Sequence, residues 1–112
     1  MSHQLWGKRA ASGTTDGANA DLVLLVDPGF GVEVTNLSAT NSLWFTVSEP
    51  GGRCPVPAGG ASASVGAVDE WVALAGQTTK VRHQGQFGSV IQLISSASVT
   101  YQVAVVGARV DA

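Results

Sequence analysis

Charge is what this chain has least of. Of its 112 residues only 12% are charged, against roughly 25% in an ordinary soluble domain. The surface is therefore covered by Ser, Thr, Gln, Asn, Gly and Ala, and a surface poor in Lys and Glu resembles one that meets other subunits. The six basic residues, Lys8, Arg9, Arg53, Lys80, Arg82 and Arg109, never gather beyond a pair, and the net charge is −2. Nucleic acid needs a concentrated cationic footprint to release its counterions, so it is excluded as an expected partner.

Cysteine is almost missing as well. The single Cys54 cannot close an internal disulfide, so the fold must hold without an oxidised framework and suits a reducing compartment. Long apolar runs are also lacking: LVLLV is far too short to cross a bilayer, and MSHQLWGKRAASG has no apolar signal core. The expectation is a soluble protein made in a cytosol, with no membrane partner.

Catalytic and metal signatures are equally sparse. The only histidines are His3 and His83. Asp69 and any of several serines could be named beside His83, but no G-x-S-x-G elbow supports a triad. Cys54, His83 and Asp69 lack the spacing of a zinc site. Asp69 and Glu70 are adjacent, so on a strand they would face opposite ways and not converge as an acid-base pair. PAGGASAS has neither the Lys-Ser/Thr ending nor the strand-to-helix setting of a phosphate loop. No enzyme, metal or cofactor is expected.

What is present is strand grammar. LVLLVD, GVEVTN, LWFTV, EWVALA, TTKVRH and VIQLI are short apolar or alternating runs, rich in β-branched and aromatic residues and broken by turn clusters such as Asp27-Pro28-Gly29-Phe30 and Glu49-Pro50-Gly51-Gly52. Residues 53–64, RCPVPAGGASAS, suit an edge or a crossing loop. VIQLI and VTYQVAVV read as a closing hairpin about Ser95–Ser98. Val99, Tyr101, Val103 and Val105 share its core face, with Thr100, Gln102, Ala104 and Val106 opposite.

The whole predicts an all-β domain, an antiparallel β-sandwich or jelly-roll-like barrel of about eight short strands over residues 21–112, behind an extended N-terminal arm at residues 1–20. Strand order is not readable.

Two places invite contact. In the polar arm, Trp6 with Leu5 and Lys8 either docks on a neighbouring subunit or folds back on its own domain. The mild face of the last strand, Thr100 and Gln102, lacks the Lys or Glu that usually guards a sheet, and with the Trp44 region it is the expected oligomer contact. Exposed Trp44 or Trp71 could instead stack on sugar rings.

The order V-x-V-T-N, L-W-F-T-V, V-P-A-G-G and the closing L-I-S-S-A-S-V-T-Y-Q-V resembles the small β-sandwich virion proteins of tailed bacteriophages, among them capsid decoration (cement) proteins. The resemblance spans about Val32 to Val106. It implies a structural, often trimeric protein on the outer capsid surface, bound to the major capsid protein and reinforcing contacts between capsomers. The alternative is a glycan- or ligand-binding module on a tail, a fibre or a larger assembly.

Because Cys54 has no partner within the chain, the thermal unfolding midpoint of the monomer is expected to be the same with and without reductant. A calorimetric scan in both conditions checks this, and a midpoint lowered by reductant would refute it.

Overall fold

The computed structural model describes residues 4–50 and 70–107, which form nine strands and no helix among them. They are β1 Gln4–Gly7, β2 Ala10–Thr14, β3 Asp21–Leu25, β4 Gly29–Asn36, β5 Leu43–Ser48, β6 Trp71–Ala73, β7 Thr78–Gly85, β8 Ser89–Ile94 and β9 Thr100–Val106. The five-stranded first sheet runs β1-β3-β8-β5-β6 and the four-stranded second sheet β2-β9-β4-β7. Every pairing is antiparallel except β1 with β3.

Successive strands alternate between the sheets, apart from β5 and β6, which pair within the first. Leaving β1 aside, this gives two four-stranded sheets ordered β3-β8-β5-β6 and β2-β9-β4-β7, the double-sheet arrangement of a jelly roll. The all-β expectation holds, and of its two architectures the strand order selects the jelly-roll form of the sandwich.

The core follows from the period-two alternation of side chains. Val23, Leu25, Ile91, Leu93, Leu43 and Phe45 point inward from the first sheet, and Val32, Val34, Val81, Val99, Tyr101, Val103 and Val105 from the second; all are buried. Fully burying one such side chain contributes about 1.5–3 kcal/mol.

The closing hairpin is not formed. VIQLI and VTYQVAVV lie in opposite sheets and face each other across the core. A tight hairpin needs positive φ at its turn, and no residue from Ser95 to Ser98 has it. Instead the connection is anchored so that it crosses. The Ser95 hydroxyl donates to Ser42 O at 2.8 Å, and the Thr15 hydroxyl donates to Ala97 O at 2.8 Å while accepting from Val99 N at 3.0 Å.

The N-terminal arm is paired into both sheets. From Gln4 to Thr14 it supplies one edge strand to each sheet. Neither QLWG nor AASGT has strong strand propensity, so their conformation comes from pairing with β3 and β9 and from Leu5 and Ala11 packing on the core. Between them the chain steps from sheet to sheet, with Val26 N donating to Gly7 O, Asp27 N to Lys8 O and Val105 N to Arg9 O. Residues 53–64, with Cys54, and Asp69 lie outside the described residues.

A side-chain pair joins the two sheets through the core. Tyr101 of β9 donates its hydroxyl to the Asp21 carboxylate of β3 at 2.7 Å, and both residues are fully buried. Burial first, and then the hydrogen bond and charge of Asp21, hold the phenol far above its ordinary pKa, so it stays a neutral donor. β2 passes close above it: a Cβ on Gly13 would stand 2.8 Å from the Tyr101 oxygen and 2.6 Å from Leu5 Cδ1.

Tyr101→Phe removes one donor from a carboxylate that cannot reach water. It is expected to destabilise the fold by about 1–3 kcal/mol in urea denaturation, and an unchanged midpoint would refute the link's role.

Candidate functional site

A sandwich has two outer faces, and here they differ in kind. On the first sheet the register sets side chains in rows: Trp6, Leu24, Val90 and Ser48; then Gln4, Leu22, Gln92 and Thr46; then Ile94, Trp44 and Val72. No charged side chain stands within these rows; Glu70 borders them just before β6. Trp6 is 72% exposed, Leu22, Leu24, Val90, Ile94, Trp44 and Val72 are half-buried, and Thr46 is buried. Trp6, Leu22 and Leu24, with Gln4 and Leu5, line a shallow hollow of about 300 Å³.

The second sheet is polar outside. Its rows run Ala10, Ala104, Glu33 and Lys80, then Ser12, Gln102, Thr35 and Thr78, then Thr14 and Thr100. Hydroxyl pairs brace the strands, Thr35 with Thr78 at 2.8 Å and Thr14 with Thr100 at 3.0 Å. This is a solvated surface with small side chains and few charges.

The residues expected to make contact are thereby separated. Trp44 stands on the outer face of the first sheet, Thr100 and Gln102 on the outer face of the second, so one flat partner cannot touch all three. In the arm, Leu5 turns inward against the core, Trp6 turns outward and Lys8 sits in the exposed β1–β2 connection. Trp6 thus does not fold into its own core, while Leu5, by alternation along β1, packs partly against it. Trp71 is 39% exposed at the edge of the first sheet, and its ring stacks on buried Phe45 with centroids 6.1 Å apart.

The chemistry-bearing residues do not converge. His83 lies half-buried on β7 with Nε2 lacking a hydrogen-bond partner. Among the described residues no group of three or more His, Cys, Asp and Glu could hold a metal ion. The most organised carboxylate is Asp16, in the loop between β2 and β3. It accepts Asn19 N at 2.7 Å, Ala18 N at 2.8 Å and Asn19 Nδ2 at 3.2 Å. These bonds, that from the Asn19 backbone foremost, hold it well below the ordinary carboxylate range. It is a loop cap of the Asx type, which the spacing D-x-x-N makes possible.

One large side chain escapes the alternation. Val32 and Val34 of β4 face the core, so Phe30 two residues earlier would be buried too, yet it is 56% exposed. The β4–β7 register shifts between Gly29, opposite Gly85, and Gly31, opposite Arg82. That irregularity turns Phe30 onto the outer face, where it lines a hollow with Lys80, Arg82 and Val106. Sequence reasoning took Phe30 for the end of a turn. The signal available was the G-F-G spacing, because glycine in a strand often marks a bulge.

No protein-family model matches the chain, and no curated protein matches its sequence. Among solved structures it is similar to one described as the crystal structure of PirA, with a TM-score of 0.49 and 10% identity over 88% of this chain and 94% of that one.

The Asp16 cap has a pH consequence. Its pKa is lowered on folding, so its contribution is fully present above the unfolded value, about 3.9, and fades as pH falls through the folded one. Carboxyl carbon shifts followed by NMR should show Asp16 titrating well below the ordinary aspartate value, and a midpoint at that value would refute the cap.

Proposed function

We propose that this chain is a structural virion protein, a capsid decoration or cement protein that binds the outer surface of a phage head and stabilises contacts between capsomers. The observation that carries the reading is that, among the described residues, the rows on the outer face of the first sheet hold no charge and are crossed by half-buried apolar side chains, ending in exposed Trp6. Interface cores are depleted in charge, and Trp is prominent among the residues that dominate binding energy. A solvated sheet would carry Lys or Glu there.

The edge supports the same use. β1 is short and uncharged, with Trp6 next to its end, and an unguarded edge strand is a surface that other chains can cover. The partner in this reading is the major capsid protein, with further copies of this chain, as a trimer, closing the remaining contacts. The effect is mechanical. A protein that binds the assembled lattice and not its separated subunits stabilises the lattice by mass action.

Purified chain added to heads stripped of accessory proteins is expected to sediment with them and to raise their disruption temperature. Trp6→Ala should leave the monomer's stability within about 0.5 kcal/mol and weaken attachment about tenfold or more. Cryo-electron microscopy of the decorated head should then show the first sheet against the shell. No attachment of the wild-type chain, or attachment with the first sheet facing solvent, would overturn the reading.

A further inference from the structure

The outer face of the second sheet carries an open hollow, apart from the first sheet. Phe30, Gly31, Lys80, Val81, Arg82 and Val106 enclose about 270 Å³, smaller than the roughly 300–1,000 Å³ of a drug-sized cleft and suited to one small ring. A bulge commonly re-aims a side chain beside a functional site, and here two glycines allow it. A Cβ on Gly29 would collide with the Val105 side chain, and one on Gly31 with the Val81 carbonyl. The chain has given up two side chains to bring an aromatic ring out of the core phase.

The ring lies among unpaired cations. Lys80 and Arg82 stand two residues apart on the same exposed face of β7, and among the described residues neither makes an ion pair. Arg9 nearby is engaged instead, donating to Gly107 O at 3.0 Å with Asp27 at 3.9 Å. Glu33 stands opposite Lys80 in the register, and the next row holds Thr35 and Thr78. The site therefore offers an apolar ring face and two cationic donors, with a carboxylate acceptor at its border.

We infer that this hollow binds a carboxylated pyranose, a uronic-acid residue of an acidic polysaccharide. The sugar's C–H face lies on Phe30, its carboxylate meets Arg82 and Lys80, and a hydroxyl donates to Glu33 at the border of the hollow. Arg offers a fork that matches a carboxylate, and Lys a point charge beside it. Beyond the row of Ala104, Glu33 and Lys80 the face carries Thr, Gln and Ser, a surround that suits a polar ligand better than an apolar protein surface.

Titration calorimetry of the full chain with a galacturonate trisaccharide tests this, beside a neutral maltotriose and a polyphosphate of similar charge. The expected result is saturable binding of the galacturonate, at least tenfold weaker binding of maltotriose, and a tenfold or greater loss in Phe30→Ala and in Arg82→Gln. Phe30→Tyr, which keeps the ring, should retain binding. Phe30 is exposed, so its variants are expected to unfold with the wild-type chain. The proposal is overturned if galacturonate does not bind, if Phe30→Ala binds it as well as wild type, or if polyphosphate binds equally and without need of the ring. Attachment to heads by the first sheet is measured separately and neither outcome decides the other.

Discussion

A buried carboxylate must be answered from within the fold, and the answer to Asp21 fixes much of this molecule. Its partner, Tyr101, comes from the other sheet, so the hydrogen bond ties β3 to β9 through the core. β9 in turn lies between β2 and β4 in the second sheet. Holding Tyr101 in place therefore holds the strand on which both neighbours are registered, and with it Val106 at the edge of the Phe30 hollow. Replacing both partners by apolar groups of the same shape is nearly neutral in stability, but it removes a polar contact that prefers this register over a slip along the strand.

The crossing topology has a consequence of the same kind. Nearly every connection passes between sheets, so contacts are mostly remote in sequence, and the polar groups that anchor the crossings are as necessary as the apolar core. Asn36 illustrates it at the end of β4. Its amide donates to Asn41 O at 2.7 Å and Ala73 O at 2.8 Å while its oxygen accepts Ser38 N at 2.8 Å, joining two connections at one end of the sandwich. A buried residue that answers so many backbone groups specifies loop geometry where no regular ladder can.

The strands that carry their own alternation, from LVLLV to VTYQVAVV, were legible in the sequence because period two is a local property. Partnership is not local. Ser95–Ser98 sits between two good strands and looks like a hairpin turn, but its serine hydroxyl and the adjoining backbone are claimed by Ser42 and Thr15 from distant loops. β1 and β2 were hidden for the opposite reason, since AASGT becomes a strand only where β9 offers a ladder. The separation of the contact residues was hidden on the same ground. Trp44 and Gln102 each face outward as alternation implies, yet without strand order nothing told that they face away from each other. Phe30 was missed because a register shift reverses phase, and only the flanking glycines hint at it.

Two unlike faces set back to back resolve what the composition left ambiguous. A chain with so little charge could be sticky everywhere, but the described charges are unevenly placed: Glu33, Lys80 and Arg82 stand on the outer face of the second sheet, and none stands in the rows of the first. On the proposed reading the first sheet lies against the shell, which turns the second away from it and leaves the Phe30 hollow open to solvent at the particle surface. The cations that would oppose burial under the first sheet are then those that recognise a carboxylate above the second. On that reading one fold separates adhesion to the particle from recognition beyond it, because a jelly roll buries only the faces its sheets turn toward each other.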